Sequence, residues 1–117
     1  MIWLEAIDSI YVFYKDQRWQ RFDDTWSEGQ LTSDPAIAPP AERFQPIRGF
    51  GKVWRENPLL RQQLGWALGP ELAYETLIQP SVAVEGASVI FLATFNGQVF
   101  ALTNHGQNDG EWVIAAA

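Results

Sequence analysis

The 117-residue sequence has no cysteine, one histidine and one methionine. Without cysteine there are no disulfides, no thiolate metal sites and no cysteine nucleophile. The lone histidine, His105, leaves no histidine-based metal motif. Basic residues are scarce: 8 Lys and Arg against 14 Asp and Glu give a net charge of -6. A phosphate backbone is bound through Lys and Arg that displace counterions, so nucleic acid is not an expected partner. No apolar run reaches bilayer-spanning length, so membrane insertion is not expected. Glu5 and Asp8 stand near the start with no early Lys or Arg, a pattern unlike a signal peptide. The expected location is the cytoplasm, unless the chain is a piece of an exported protein, in which case it is extracellular or at the cell surface.

What is present is a core-forming composition with an aromatic excess. Hydrophobic residues make up 47% and charged residues 19%, a globular balance that predicts a single domain over 1–117. Six tryptophans stand out. Most of them are expected in the core, where large rings fill the space beside a small sheet.

The chain also repeats itself faintly at a spacing of 88 residues, Met1–Ser9 aligning on Val89–Gly97 and Ile10–Asp16 on Gln98–Asn104. Apolar matches apolar and turn matches turn. The first copy, within 1–30, reads as strands at Met1–Ala6, Ile10–Tyr14 and Arg18–Phe22, the last an edge strand because polar and apolar residues share both of its faces. The second copy, 88–117, carries the hairpin signal Asn96-Gly97, since both residues accept positive φ. Between them, 31–46 is a proline-bearing linker and the place for a junction between repeat units. Residues 47–87 hold a helix pair and a corner. Ile47, Phe50, Val53 and Trp54 form an apolar stripe, with Gly49 and Gly51 allowing close approach. Asn57, Pro58 and Gly65 read as N-cap, first helical residue and stop of a second helix. Pro70–Glu75 is a helical turn or an extended segment, and Thr76–Val84 is extended with an interruption at Pro80. The expected fold class is α+β: two antiparallel three-stranded meanders, sharing one barrel-like sheet in one version, with a two-helix insert.

The order Gly49-Phe50-Gly51-Lys52-Val53-Trp54, Leu64-Gly65-Trp66-Ala67, Glu71 and Glu85-Gly86 resembles the Leu-Gly-Phe-Pro repeats of bacterial cell-wall-associated proteins. The similarity covers roughly residues 47 to 92, with Ala67 where those repeats carry the corner proline. The run Trp19-Gln20-Arg21-Phe22-Asp23-Asp24-Thr25-Trp26 is similar to one recurring in repeat arrays of exported proteins of filamentous bacteria. The resemblance implies a non-catalytic repeat module of the cell envelope.

Candidate chemistry is sparse. His105 sits in a turn-rich stretch without a nucleophile elbow. Asn104, Asn108, Asp109 and Glu111 offer oxygens but not the spacing of a calcium loop. Asp23-Asp24 could pair as acid and base, though adjacent carboxylates after a strand more often cap a turn. No catalytic residue, metal site or cofactor is expected. Trp19, Asp24, Trp26 and Trp66 form the candidate ligand-binding set, since flat aromatics beside carboxylates suit a sugar. Expected partners are a cell-wall glycan or another protein. The alternatives are a structural scaffold that self-associates through a strand edge and, last, a small hydrolase.

Overall fold

A computed structural model describes residues 1–69, 78–80, 89–94, 96–104 and 108–116, with backbone alone at Ala6, 78–80 and Ala116. The chain forms β1 (Ile2–Leu4), β2 (Ser9–Phe13), β3 (Arg18–Asp23), α1 (Arg48–Glu56), α2 (Pro58–Leu64), β4 (Ile78–Pro80), β5 (Val89–Ala93), β6 (Val99–Asn104) and β7 (Asp109–Ala116). It is an α+β chain, rich in antiparallel sheet and carrying two short helices. Two compact units divide it: unit 1 is Met1–Ile10 with Phe22–Leu72, and unit 2 is Tyr11–Arg21 with Ala73–Ala117. The boundary passes through β2 and β3.

In unit 2 the strands follow the order β2-β3-β7-β6-β5-β4. β2 is buried along Ser9–Val12, as expected for an apolar, β-branched and aromatic run covered on both faces. The turn after it closes through the amide of Gln17 to the Tyr14 carbonyl at 3.0 Å, with Gln17 in the left-handed region at φ 69°. β3 then runs between β2 and β7, not at the edge that its mixed faces suggest. The reason is that one large ring decides its place. Trp19 is 1% exposed. Arg18 stays in solvent, and Arg21 reaches Asn108, its amide 2.7 Å from that carbonyl and its guanidinium 3.3 Å from the side-chain oxygen. Long basic side chains keep their charged heads outside while the strand itself is interior.

Trp19 pairs in register with Gly110 of β7, and its indole N–H donates to the Thr103 carbonyl of β6 at 3.2 Å. Tyr11 packs on it with ring centres 5.7 Å apart. Farther along, Phe13, Phe100 and Trp112 form a triangle with centres 4.7 to 5.8 Å apart. The Trp112 indole N–H donates to the Tyr14 carbonyl at 3.0 Å, which ties β7 to the end of β2. Leu92 and Leu102 are fully buried on the neighbouring strands. At the hairpin, Gly97 has φ 83°, as the Asn-Gly signal requires, between strands paired from Ala93↔Val99 onward. β4 ends the order and carries Pro80, where a missing amide is tolerated.

In unit 1 the expected first strand stops at Leu4, and Glu5–Ile7 winds into a 3-10 helix. Asp8 closes it in the left-handed region, φ 45°, its amide donating to Glu5 at 3.2 Å. Both helices lie where the glycine-bearing apolar stripe and the Asn-Pro start place them. Asn57 holds the expected N-cap position of α2, but its side chain makes no capping bond there: its amide donates to the Val53 carbonyl at 2.7 Å and so closes α1. Gly65 ends α2 with φ 70° and its amide on Arg61 at 2.8 Å. The loop of 31–46 is a chain of tight turns pinned by Gln45, whose side chain bonds the Asp34 amide at 2.7 Å and the Asp34 and Ile37 carbonyls at 2.9 Å. The expectations for Pro70–Glu75, for most of Thr76–Val84 and for Phe95, together with Glu85-Gly86, lie outside the described residues.

Two outcomes follow. Gly110→Ala would drive a methyl into the Thr103 carbonyl and within 2.8 Å of the Trp19 indole nitrogen, where the opposing atom is rigid backbone. The expected loss is about 3 kcal/mol or more, seen as a lower urea midpoint. Burial raises the ionisation of Tyr11 above its ordinary 10.0, with Arg21 pulling back, and raises that of Tyr14, with Arg18 pulling back and Asp16 adding to the rise. The folded state therefore holds these protons longer than the unfolded chain does, so their contribution is complete below pH 10 and falls as pH climbs past it. Phenolate absorbance should show both tyrosines titrating together with alkaline unfolding.

Candidate functional site

A cleft of about 420 Å³ opens in unit 1. Its aromatic lining residues are Trp3, Trp26 and Phe50, and its charged ones are Asp8, Asp24, Glu28 and Arg48. Ile10 and Gly49 lie in its lining. The volume falls within the usual range of small-ligand pockets, about 300–1,000 Å³.

The geometry begins at the end of β3. The Asp24 amide donates to the Asp8 carbonyl at 2.7 Å, bringing the turn after the 3-10 helix against the chain as it leaves the sheet. The Asp24 carboxylate then accepts the Trp26 amide at 3.1 Å, a local Asx turn. Asp24 thus caps a turn, the bland role adjacent carboxylates usually have. The Trp26 indole N–H donates to the Leu31 carbonyl at 3.1 Å. The Arg55 guanidinium donates to that same carbonyl at 3.3 Å and to Thr32 at 3.5 Å. Thr32 also accepts the Arg48 amide at 2.9 Å, and Lys52 reaches the Thr25 carbonyl at 3.3 Å. The loop carrying Trp26 is therefore clamped onto α1 by that helix's own basic side chains.

Gly49 explains how close that docking is. A Cβ there would fall 2.5 Å from the nearest Asp24 carboxylate oxygen. The helix opens with Arg48, a residue of the cleft lining, in the left-handed region at φ 54°.

Of the candidate ligand-binding set, Asp24 and Trp26 meet in the cleft. Trp19 is a core residue of unit 2, with both its ring and its N–H consumed there. Trp66 does not line the cleft. It packs against Trp54 with ring centres 5.3 Å apart, and Arg61 lies 4.4 Å above the Trp54 ring and 5.9 Å from that of Trp66. The Trp54 indole donates to the Gly65 carbonyl at 2.8 Å, so this cluster fastens α1 to the end of α2. It is a structural stack.

Trp3, Asp8, Glu28, Arg48 and Phe50 are among the cleft residues that lie outside the candidate ligand-binding set. Trp3 carried one usable signal. In the short strand Ile2–Leu4 it points away from buried Leu4 and is 42% exposed. Arg48 and Phe50 come from the first turn of α1, the helix that the apolar stripe marks, whereas Asp8 and Glu28 are brought in by turns that no periodicity marks. Among the described residues no group of three or more His, Asp or Glu is placed to hold a metal ion. His105 and Glu71 lie outside the described residues. No family model matches the chain, and no curated protein or solved structure matches it.

Gly49→Ala tests the docking of this loop. The expected cost is about 1–3 kcal/mol. Because Asp24 must shift and Trp26 hangs from it, Trp26 should become more accessible to a fluorescence quencher.

Proposed function

We propose that this chain is a non-catalytic binding module whose ligand is a glycan, held in the Trp3–Trp26 cleft. The observation that carries the reading is Trp26. Its backbone amide and its indole N–H are both anchored, while its ring remains part of the cleft lining. An aromatic fixed in advance loses little freedom when a ligand stacks on it. Carboxylates and a guanidinium in the lining supply acceptors and donors for hydroxyl groups. Asp24 accepts the Trp26 amide through one oxygen, the turn-holding role that adjacent carboxylates usually have, which favours the non-catalytic reading over a hydrolase.

The wider assignment is to a bacterial envelope or extracellular repeat module of the Leu-Gly-Phe-Pro type. It rests on the order of residues in 47–92 and on the echo at spacing 88. In this reading the sheet is a fused pair of meanders, β1-β2-β3 and β5-β6-β7, derived from one ancestral unit and lying toward a barrel-like closure. The pairing of β3 with β7, the third strand of each copy, supports it. A second reading, a structural scaffold that self-associates, is favoured by the half-exposed pair Val113 and Ile114, 50% and 52% exposed, on β7.

One titration separates these readings. Neutral cell-wall oligosaccharides should shift tryptophan emission, and Trp26→Ala should weaken binding by about tenfold, as expected for loss of one stacking ring. A silent panel together with a concentration-dependent dimer in sedimentation would leave the scaffold reading in its place.

A further inference from the structure

We propose that the cleft prefers a positively charged head group, the protonated amine of an amino sugar within a glycan, over a neutral or acidic sugar. The inference rests on the glycan reading above and adds the charge of the ligand. Three carboxylate residues, Asp8, Asp24 and Glu28, and one guanidinium residue, Arg48, line the cleft, an excess of two negative charges. Trp3 and Trp26 line the same cleft, and an indole ring face attracts cations. An acidic ligand would meet both the local excess and a chain of net charge -6.

The carboxylates do not gather into a metal site among the described residues. They share the cleft lining with aromatic residues, a combination suited to a diffuse organic cation. The same residues favour a ring over a flexible lysine chain, because the apolar face of a sugar ring can lie flat on an indole while the amine meets a carboxylate.

The test uses the full chain at about pH 6, where the amines of a glucosamine oligomer are largely protonated, and at low salt. Three probes are titrated by tryptophan fluorescence and calorimetry: a glucosamine trimer, its fully N-acetylated counterpart and a blocked lysine tripeptide. The amine trimer should bind about tenfold tighter than the acetylated one, through two or three partly screened charge contacts, and the margin should shrink as salt rises. The double substitution Asp8→Asn and Glu28→Gln should erase that margin, so that the two trimers then bind alike. Asn tolerates the left-handed backbone of Asp8, and Glu28 is exposed, so the fold should hold; circular dichroism checks this. Equal binding of the two trimers, or a preference that survives the double substitution, overturns the charge inference and leaves the glycan reading intact. Binding of neither trimer removes both. Binding of the lysine peptide alone also removes both and turns the cleft into a peptide site.

Discussion

Trp19 is held from two sides, and the sheet of unit 2 depends on it. Its indole N–H needs an acceptor once buried, and the Thr103 carbonyl supplies one from 84 residues away. Its ring needs room against β7, and Gly110, with no side chain, leaves that room. Burying a ring of this size is worth roughly 4–6 kcal/mol at about 25 cal/mol per Å². That gain is realised only when β3, β6 and β7 are all in place. The early β2–β3 hairpin is thereby committed to the late strands, at the cost of closing a long loop before the contact forms.

The same device recurs. Among the described residues, Trp19 donates its indole N–H to the Thr103 carbonyl, Trp26 to that of Leu31, Trp54 to that of Gly65 and Trp112 to that of Tyr14. Each bond joins segments that lack a strand ladder or helix turn in common at that point. A large ring with a single donor at its edge is well suited to this, because its apolar body fills the gap while its N–H fixes the orientation. The aromatic excess is therefore mainly a set of staples. Trp26 differs from the other three in leaving its ring in a cleft lining, and that difference makes it the centre of the functional reading.

Glycines mark the closest approaches, and here local sequence was a good guide. Gly49 and Gly51 on the packing face of α1 meet the Asp24 side chain and the Pro46 carbonyl. Gly97 takes the positive φ of the hairpin, and Gly65 that of the helix stop. Gly110 was not legible in this way, because its partner, the Thr103 backbone, is set by strand register and not by any neighbour in the chain. The site was half legible. Asp24 and Trp26 lie two residues apart and are joined by a local hydrogen bond, so their association follows from adjacency. Trp3 joins them through the Asp8–Asp24 contact, and Arg48 and Phe50 through the clamp on α1, both of which depend on long-range geometry.

The sequence by itself determined the short-range structure: β2 as a strand covered on both faces, the turn at Lys15–Gln17, the Asn-Gly hairpin, both helices and the glycine that ends the second. Each of these rests on periodicity, backbone freedom or a missing donor, and these are properties of a few consecutive residues. It also carried the absence of cysteine chemistry and the acidic balance. Only the tertiary structure decided that β3 is interior, that Trp19 is core while Trp26 lines a cleft, that Asn57 closes the first helix and that Trp66 belongs to a stack. Those outcomes turn on which carbonyl an indole finds and which strand lies alongside. Such pairings are made between residues far apart in the chain, where local pattern has no hold.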